Sequence, residues 1–311
     1  MIIGLFFPAS LARQMTFPIR YVEPVYRPPS EADSLILPVT DGCSWNQCTF
    51  CEMYTAPQKK FRARSEDEVL DSIRRSAEVF GPQVRRVFLA DGDALVLPTR
   101  RLLAVLEAIR QYLPSVRRVS SYCLPRNLRK KTVAELAALR EAGLALAYVG
   151  AESGDDEVLA RVNKGETFDS TREALDKLAE AGIRRSVMIL HGLGGETLSV
   201  AHADHSARLA NLTQPEYLAT LVVSFPKGEA RFRESCPDWT PLALDGLLRE
   251  MHRFVGGLEL NKTVFRSDHA SNWLVLKGTL GAEKTRLLAQ IEQAIAQPEG
   301  ARLRPAWARG L

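Results

Sequence analysis

Three cysteines crowd into nine residues of one segment, DGCSWNQCTFCEMY, with four residues between Cys43 and Cys48 and two between Cys48 and Cys51. Thiolates are soft ligands that suit an iron–sulfur cluster or zinc, and a compact loop entered through a glycine wraps three sulfurs around one centre. A tetrahedral structural zinc needs a fourth ligand, and no His lies in the loop or its flanks. Three thiolates on a four-iron cluster leave one iron without a protein ligand, and an open metal position is a reactive one. The chain holds five cysteines, an odd number, and crowding of three in a reducing compartment favours metal over disulfides.

Other chemistry-bearing residues follow at intervals. LADGDALVL (89–97) presents Asp91, Gly92 and Asp93, where a glycine permits close backbone approach and a carboxylate accepts from an ammonium. GAESG (150–154) presents Glu152, with Arg161, Lys164 and Arg172 on the segment after it. MILHGLGGE (188–196) places Gly192, Gly194 and Gly195 in a loop that can lie flat against a ring. Cys123 and Cys236 are far apart and do not make a second cluster. His202 and His205 stand three apart on a helix without the Cys or Asp pair that completes a zinc site.

These groups need a scaffold, and the pattern supplies one. Apolar runs at 35–40, 85–91, 116–122, 144–150, 184–192 and 217–224 read as strands. Helical periodicity follows at 65–80, 98–113, 132–143, 169–182 and 197–211, the first opening on a Ser cap and an acidic turn. Six strands, each followed by a helix or by the cysteine loop and a helix, predict an α/β fold: a partial (β/α)6 TIM-like barrel of parallel strands. Reactive groups in such a barrel collect at the carboxyl ends of the strands, and each motif above lies at one of those ends. The expected division is a short extension at 1–34, a core at 35–225 and a carboxyl-terminal extension at 226–311 that closes the barrel. That extension carries helices at 241–255 and 281–296 and a polar stretch at 266–272, which either closes the barrel with satisfied bonds or lines the substrate side.

The cysteine loop, taken with these strand ends in order, resembles the radical S-adenosylmethionine (radical SAM) superfamily over roughly residues 35 to 225. The resemblance implies that Cys43, Cys48 and Cys51 hold a 4Fe–4S cluster whose open iron chelates S-adenosylmethionine. Reductive cleavage then gives methionine and a 5′-deoxyadenosyl radical that abstracts hydrogen from a substrate. It implies that Phe50 packs near the adenine and that Asp91, Gly92 and Asp93 receive the methionine amino group. Glu152 would contact the cofactor's amino group or ribose hydroxyls, and Gly192 and Gly194 would lie along the adenine. One of Arg161, Lys164 and Arg172 would pair with the cofactor carboxylate, and Arg172 is taken into the expected set. Cys123, at a strand end, is a candidate hydrogen donor to a substrate radical. The commonest family spacing has three residues in the first cysteine gap, whereas this chain has four. The resemblance further implies a small-molecule substrate and an electron donor such as flavodoxin or ferredoxin. A second reading is a non-catalytic heme or cofactor delivery protein on the same fold.

The totals agree with one large catalytic domain. The 311 residues are 46% hydrophobic and 25% charged, enough apolar material for a sizeable core and too much for a disordered chain. A formal charge of +4 is spread over helical segments, so RNA stays open as a substrate, but no attached nucleic-acid module is visible. The apolar start, MIIGLFFPASLARQMTF, has no basic region before it and is too short for a membrane span. The expected location is the cytoplasm.

Overall fold

The computed structural model describes residues 17–309, so all of the apolar amino-terminal stretch except Phe17 lies outside the described residues. Eight strands form one sheet in chain order: β1 (Leu35–Pro38), β2 (Arg86–Ala90), β3 (Arg118–Cys123), β4 (Leu144–Glu152), β5 (Arg184–His191), β6 (Tyr217–Val222), β7 (Val264–Ser267) and β8 (Leu276–Thr279). Neighbours from β1 to β7 run parallel, and β8 pairs antiparallel with β7. β1 and β8 are the two edges, so this is an open, partial barrel. The α/β class and the six expected strands are present.

Helices cover the outer face: α1 (Glu66–Phe80), α2 (Thr99–Tyr112), α3 (Val133–Glu141), α4 (Asp156–Arg161), α5 (Phe168–Glu180), α6 (Gly195–Thr213), α7 (Ala230–Ser235), α8 (Leu244–Gly257) and α9 (Lys284–Ala296). Their starts are locally encoded. Ser65 and Glu68 form a reciprocal capping box at α1, and Thr132 and Glu135 repeat it at α3. Val87, Leu89, Val149, Val187, Ile189 and Leu218 of the sheet pack into one core with Leu102, Leu106, Leu175, Leu178 and Phe254 of the helices. On the other face, Phe88, Tyr122 and Tyr148 meet edge to face with centroids 5.0–6.3 Å apart. The amino end of the sheet is covered by the turn Pro29–Glu31, whose buried Glu31 accepts from Arg118 and Tyr148.

Four elements were not read from the sequence: β7, β8, α4 and α7. The strands have four residues each and the helices six, too short for a period to register. The polar stretch at 266–272 joins β7 to the carboxyl end of β6 through hydrogen bonds, although Ser267 Oγ and Asn272 Oδ1 stay buried without a partner. Val222 N–H donates to Ser271 Oγ at 3.1 Å, and Asn272 Nδ2 donates to the Thr220 carbonyl at 2.8 Å.

Candidate active site

The cysteine loop leaves β1, and its backbone is pinned from the end of β2. Asp93 accepts from Ser44 N–H at 3.0 Å, from the Ser44 hydroxyl, and from Asn127 Nδ2 at 3.2 Å. Asp91 accepts from Gly42 N–H at 3.2 Å and from Lys59, a lysine only 1% exposed. Between them, Gly92 N–H donates to the Gly42 carbonyl, and a Cβ on Gly92 would lie 2.6 Å from that oxygen and 2.8 Å from Cys43 Cα. The close approach that Gly92 permits is therefore to the cysteine loop itself. Burial holds both Asp91 and Asp93 above the ordinary carboxylate range despite these donors.

All four residues of the first cysteine gap find partners. Ser44 is bound to Asp93, and Trp45 lies 3.6 Å under the Arg126 guanidinium while donating from Nε1 to the Asn163 carbonyl. Asn46 takes a left-handed φ of 44° and donates to the Tyr54 carbonyl at 3.0 Å, and Gln47 accepts from Asn163. The stretch after β6 straps the loop from above. Arg231 donates to the carbonyls of Cys51 and Asn46, and Ser235 donates to Thr49 Oγ1 at 2.8 Å.

Cys43, Cys48 and Cys51 are free and partly exposed. Burial pushes all three thiols up, Cys43 to about 12 with Asp93 adding to the effect. The Lys164 ammonium opposes that rise at Cys48 and Cys51, so one fixed cation serves two thiols. Lys164 pairs with Glu152 at 3.1 Å, both buried, and stands 5.9 Å over the Phe50 ring. A β-bulge between Gly150 and Glu152, together with a φ of 65° at Glu152, aims this carboxylate. Gly150 makes room for it, since a Cβ there would meet Glu152 Oε1 at 2.1 Å. Glu152 Oε2 and Asp91 Oδ1 are buried without a hydrogen-bond partner, two free acceptors on either side of the loop.

The other expected residues fall elsewhere. Arg172 is half exposed on α5 and faces Asp169 at 3.7 Å, while Arg161 pairs with Glu157 and Asp238 at the surface. Among the three candidate cations, Lys164 is the buried one beside the cysteines. Cys123 is the last residue of β3, at a strand end as expected, but it is packed in the main core at 2% exposure and burial raises its thiol. Gly192 and Gly195 have φ of 80° and 62°, and Cβ atoms there would press on Leu247 and Trp239. Trp239 Nε1 in turn donates to the Gly192 carbonyl at 3.2 Å. Gly194 packs on Leu198. Gly192 borders a cleft of about 420 Å³ lined also by Val223, Phe225, Trp239, Leu247 and Trp273. Phe50, Leu190, Val223, Phe225 and Trp239 belong to one apolar cluster, which joins the cysteine loop to the glycine loop.

Lys59, Trp45, Arg126 and Glu250 were missed by the sequence reading. No local pattern marks them, because each meets its partner across at least 30 residues of chain.

This loop, its strand-end carboxylates and the partial barrel define the class. The Radical SAM superfamily model matches residues 37–205, more than half of the chain, and the chain belongs to that superfamily. The family uses a 4Fe–4S cluster and S-adenosylmethionine. Among curated relatives, the chain is 21% identical over 187 residues to the heme chaperone HemW of Bacillus subtilis, covering 58% of this chain and 48% of that one. It is 31% identical over 150 residues to bacteriochlorophyllide d C-12(1)-methyltransferase of Chlorobaculum tepidum, covering 48% and 31%. The matched region thus spans less than half of each relative. The fold is similar to coproporphyrinogen III oxidase (HemN) from Escherichia coli, with a TM-score of 0.54, 16% identity, and coverage of 72% of this chain and 51% of that one.

The residues present fit the family's cofactors. Three free thiols share one loop, a buried ammonium opposes the rise of two of them, and two buried carboxylate oxygens lack donors. Among the described residues, no helix is long and apolar enough to cross a membrane.

Proposed function

We propose that the chain is a radical SAM enzyme in which Cys43, Cys48 and Cys51 hold the cluster and the substrate is a small molecule. When bound and reduced, the cluster with S-adenosylmethionine supplies a 5′-deoxyadenosyl radical. The observation that carries this reading is the convergence of three free thiols with the buried Glu152–Lys164 pair, whose Glu152 Oε2 has no donor.

The chain's own groups then have separable tasks. Glu152 Oε2 and Asp91 Oδ1 are acceptors for the ammonium and hydroxyl donors of S-adenosylmethionine. Lys164, held protonated by Glu152 and the thiols against the opposing effect of burial, is better placed than Arg172 to pair with the cofactor carboxylate. Asp93 fixes the loop through Ser44. Phe50 and Gly192 both adjoin Val223 and offer flat apolar surface to a purine. The electron donor is a flavodoxin or ferredoxin, and the five free cysteines among the described residues suit a cytoplasmic setting.

The test is anaerobic. Cluster-loaded, dithionite-reduced protein should convert S-adenosylmethionine to 5′-deoxyadenosine, read by mass spectrometry. Absence of that product from cluster-loaded protein that binds heme tightly would replace this reading with a delivery role.

A further inference from the structure

Behind the glycine loop, on the helix side of the sheet, lies a polar cluster that the proposed chemistry does not use. His191 ends β5, His202 is in α6 and Glu250 is in α8, and none is more than 2% exposed. One ligand atom from each lies within 4.8 Å of the other two. His191 Nδ1 hydrogen-bonds Glu250 Oε1 at 3.1 Å, whereas His202 Nε2 is 3.8 Å from the same oxygen, too far for a hydrogen bond. Both Nε2 atoms are buried without any partner. Buried polar atoms in folded proteins are nearly all satisfied, so these two stand out.

The surrounding bonds are those of oriented ligands. His202 Nδ1 lies 2.8 Å from Ser153 Oγ, which fixes the ring and leaves Nε2 aimed at Glu250. Glu250 Oε2 accepts from Ser199 at 2.6 Å, and Oε1 accepts from Gly192 N–H at 2.8 Å. Two imidazoles and a carboxylate are a zinc donor set. Around a tetrahedral zinc with bonds of about 2.0–2.2 Å, ligand atoms stand about 3.3 Å apart. The 3.1 and 3.8 Å spacings of His191 Nδ1 and His202 Nε2 to Glu250 Oε1 lie within about half an ångström of that value, all three ligand atoms lie within 4.8 Å of one another, and the ion would replace the His191–Glu250 hydrogen bond.

We propose that His191, His202 and Glu250 bind one divalent first-row cation, zinc by this donor set, with water as fourth ligand. The ion clasps α8, which lies beyond the family-matched region, to β5, α6 and the glycine loop. The site uses none of the three cysteines, and through the Glu250 contact to Gly192 N–H it supports the glycine loop that the proposed function assigns to the adenine.

The test uses the full chain with Cys43, Cys48 and Cys51 all changed to Ser, so that loop thiolates cannot trap zinc. Grown with zinc sulfate and dialysed, it should hold about one zinc per chain by plasma mass spectrometry. His202→Gln and Glu250→Gln should each cut that content at least tenfold, whereas His205→Gln, whose ring bonds Asp155 outside the cluster, should leave it unchanged. Should the ligand variants fail to fold, cobalt added to the chelator-stripped parent gives a second readout, a four-coordinate absorption spectrum that zinc displaces. A folded parent with less than about one-tenth zinc per chain and no cobalt spectrum overturns the proposal, as does zinc content indifferent to both ligand variants.

Discussion

The cysteine loop and the glycine loop stand at the carboxyl ends of strands in one sheet, yet they are held by different physics. The first is fixed by buried charge: Asp91 with Lys59, Asp93 with Ser44 and Asn127, Arg126 stacked on Trp45. The second is fixed from the carboxyl-terminal region, by Trp239 against Gly195 and by Glu250 on Gly192 N–H. The charged anchors of the cysteine loop just named fall inside the family-matched residues 37–205, with Arg231 and Ser235 strapping it from outside, whereas Trp239 and Glu250 at the glycine loop both fall outside. A loop proposed to hold a cluster needs a fixed thiolate triangle, and the buried Asp91 and Asp93 supply fixed anchors for it.

The comparison breaks first at Lys59. Lys59→Met leaves Asp91 buried without its ion partner, and urea unfolding should show a loss of about 3–5 kcal/mol, with reconstituted iron falling in parallel. Glu250→Leu orphans Gly192 N–H and the Ser199 hydroxyl and should cost about 1–3 kcal/mol. Its iron content should stay at the parent level while affinity for S-adenosylmethionine falls, by equilibrium dialysis. Equal loss of iron in the two variants would erase the distinction between the loops.

A smaller effect concerns acid–base linkage at the loop. Burial raises the Cys43 thiol to about 12, so the fold favours its protonated form. That contribution to stability is complete below the free-thiol value of about 8.5 and is lost as pH rises toward about 12. Iodoacetamide labelling of cluster-free protein should accordingly be slow at pH 8 and still be accelerating above pH 9, whereas a free-cysteine peptide levels off. The smallest change is expected at Arg172. Arg172→Gln should shift stability by no more than about 0.5 kcal/mol and leave cofactor affinity unchanged, because the side chain is half exposed.

The scaffold was largely legible because its signals are local. Ser65 with Glu68 marks the start of α1, apolar runs mark six strands, and the two cysteine gaps mark the loop proposed to hold the cluster. What stayed hidden is contact across distance. Nothing near Asp91 in sequence says that Lys59 will neutralise it, and nothing near Gly192 points to Glu250. Gly92 read as room for a ligand, but the contact it makes room for is Cys43. Lys164 and Arg172 look alike in sequence, and only the bulge at Glu152 separates the buried cation from the surface one.

The most direct test of the central claim is product formation by the holoprotein and its Cys48→Ala variant under reducing, anaerobic conditions. The account predicts 5′-deoxyadenosine from the cluster-loaded parent and none from Cys48→Ala, whose remaining two thiols cannot hold the cluster with one open iron. Equal 5′-deoxyadenosine from both proteins, or none from a parent carrying about four irons per chain, would contradict it.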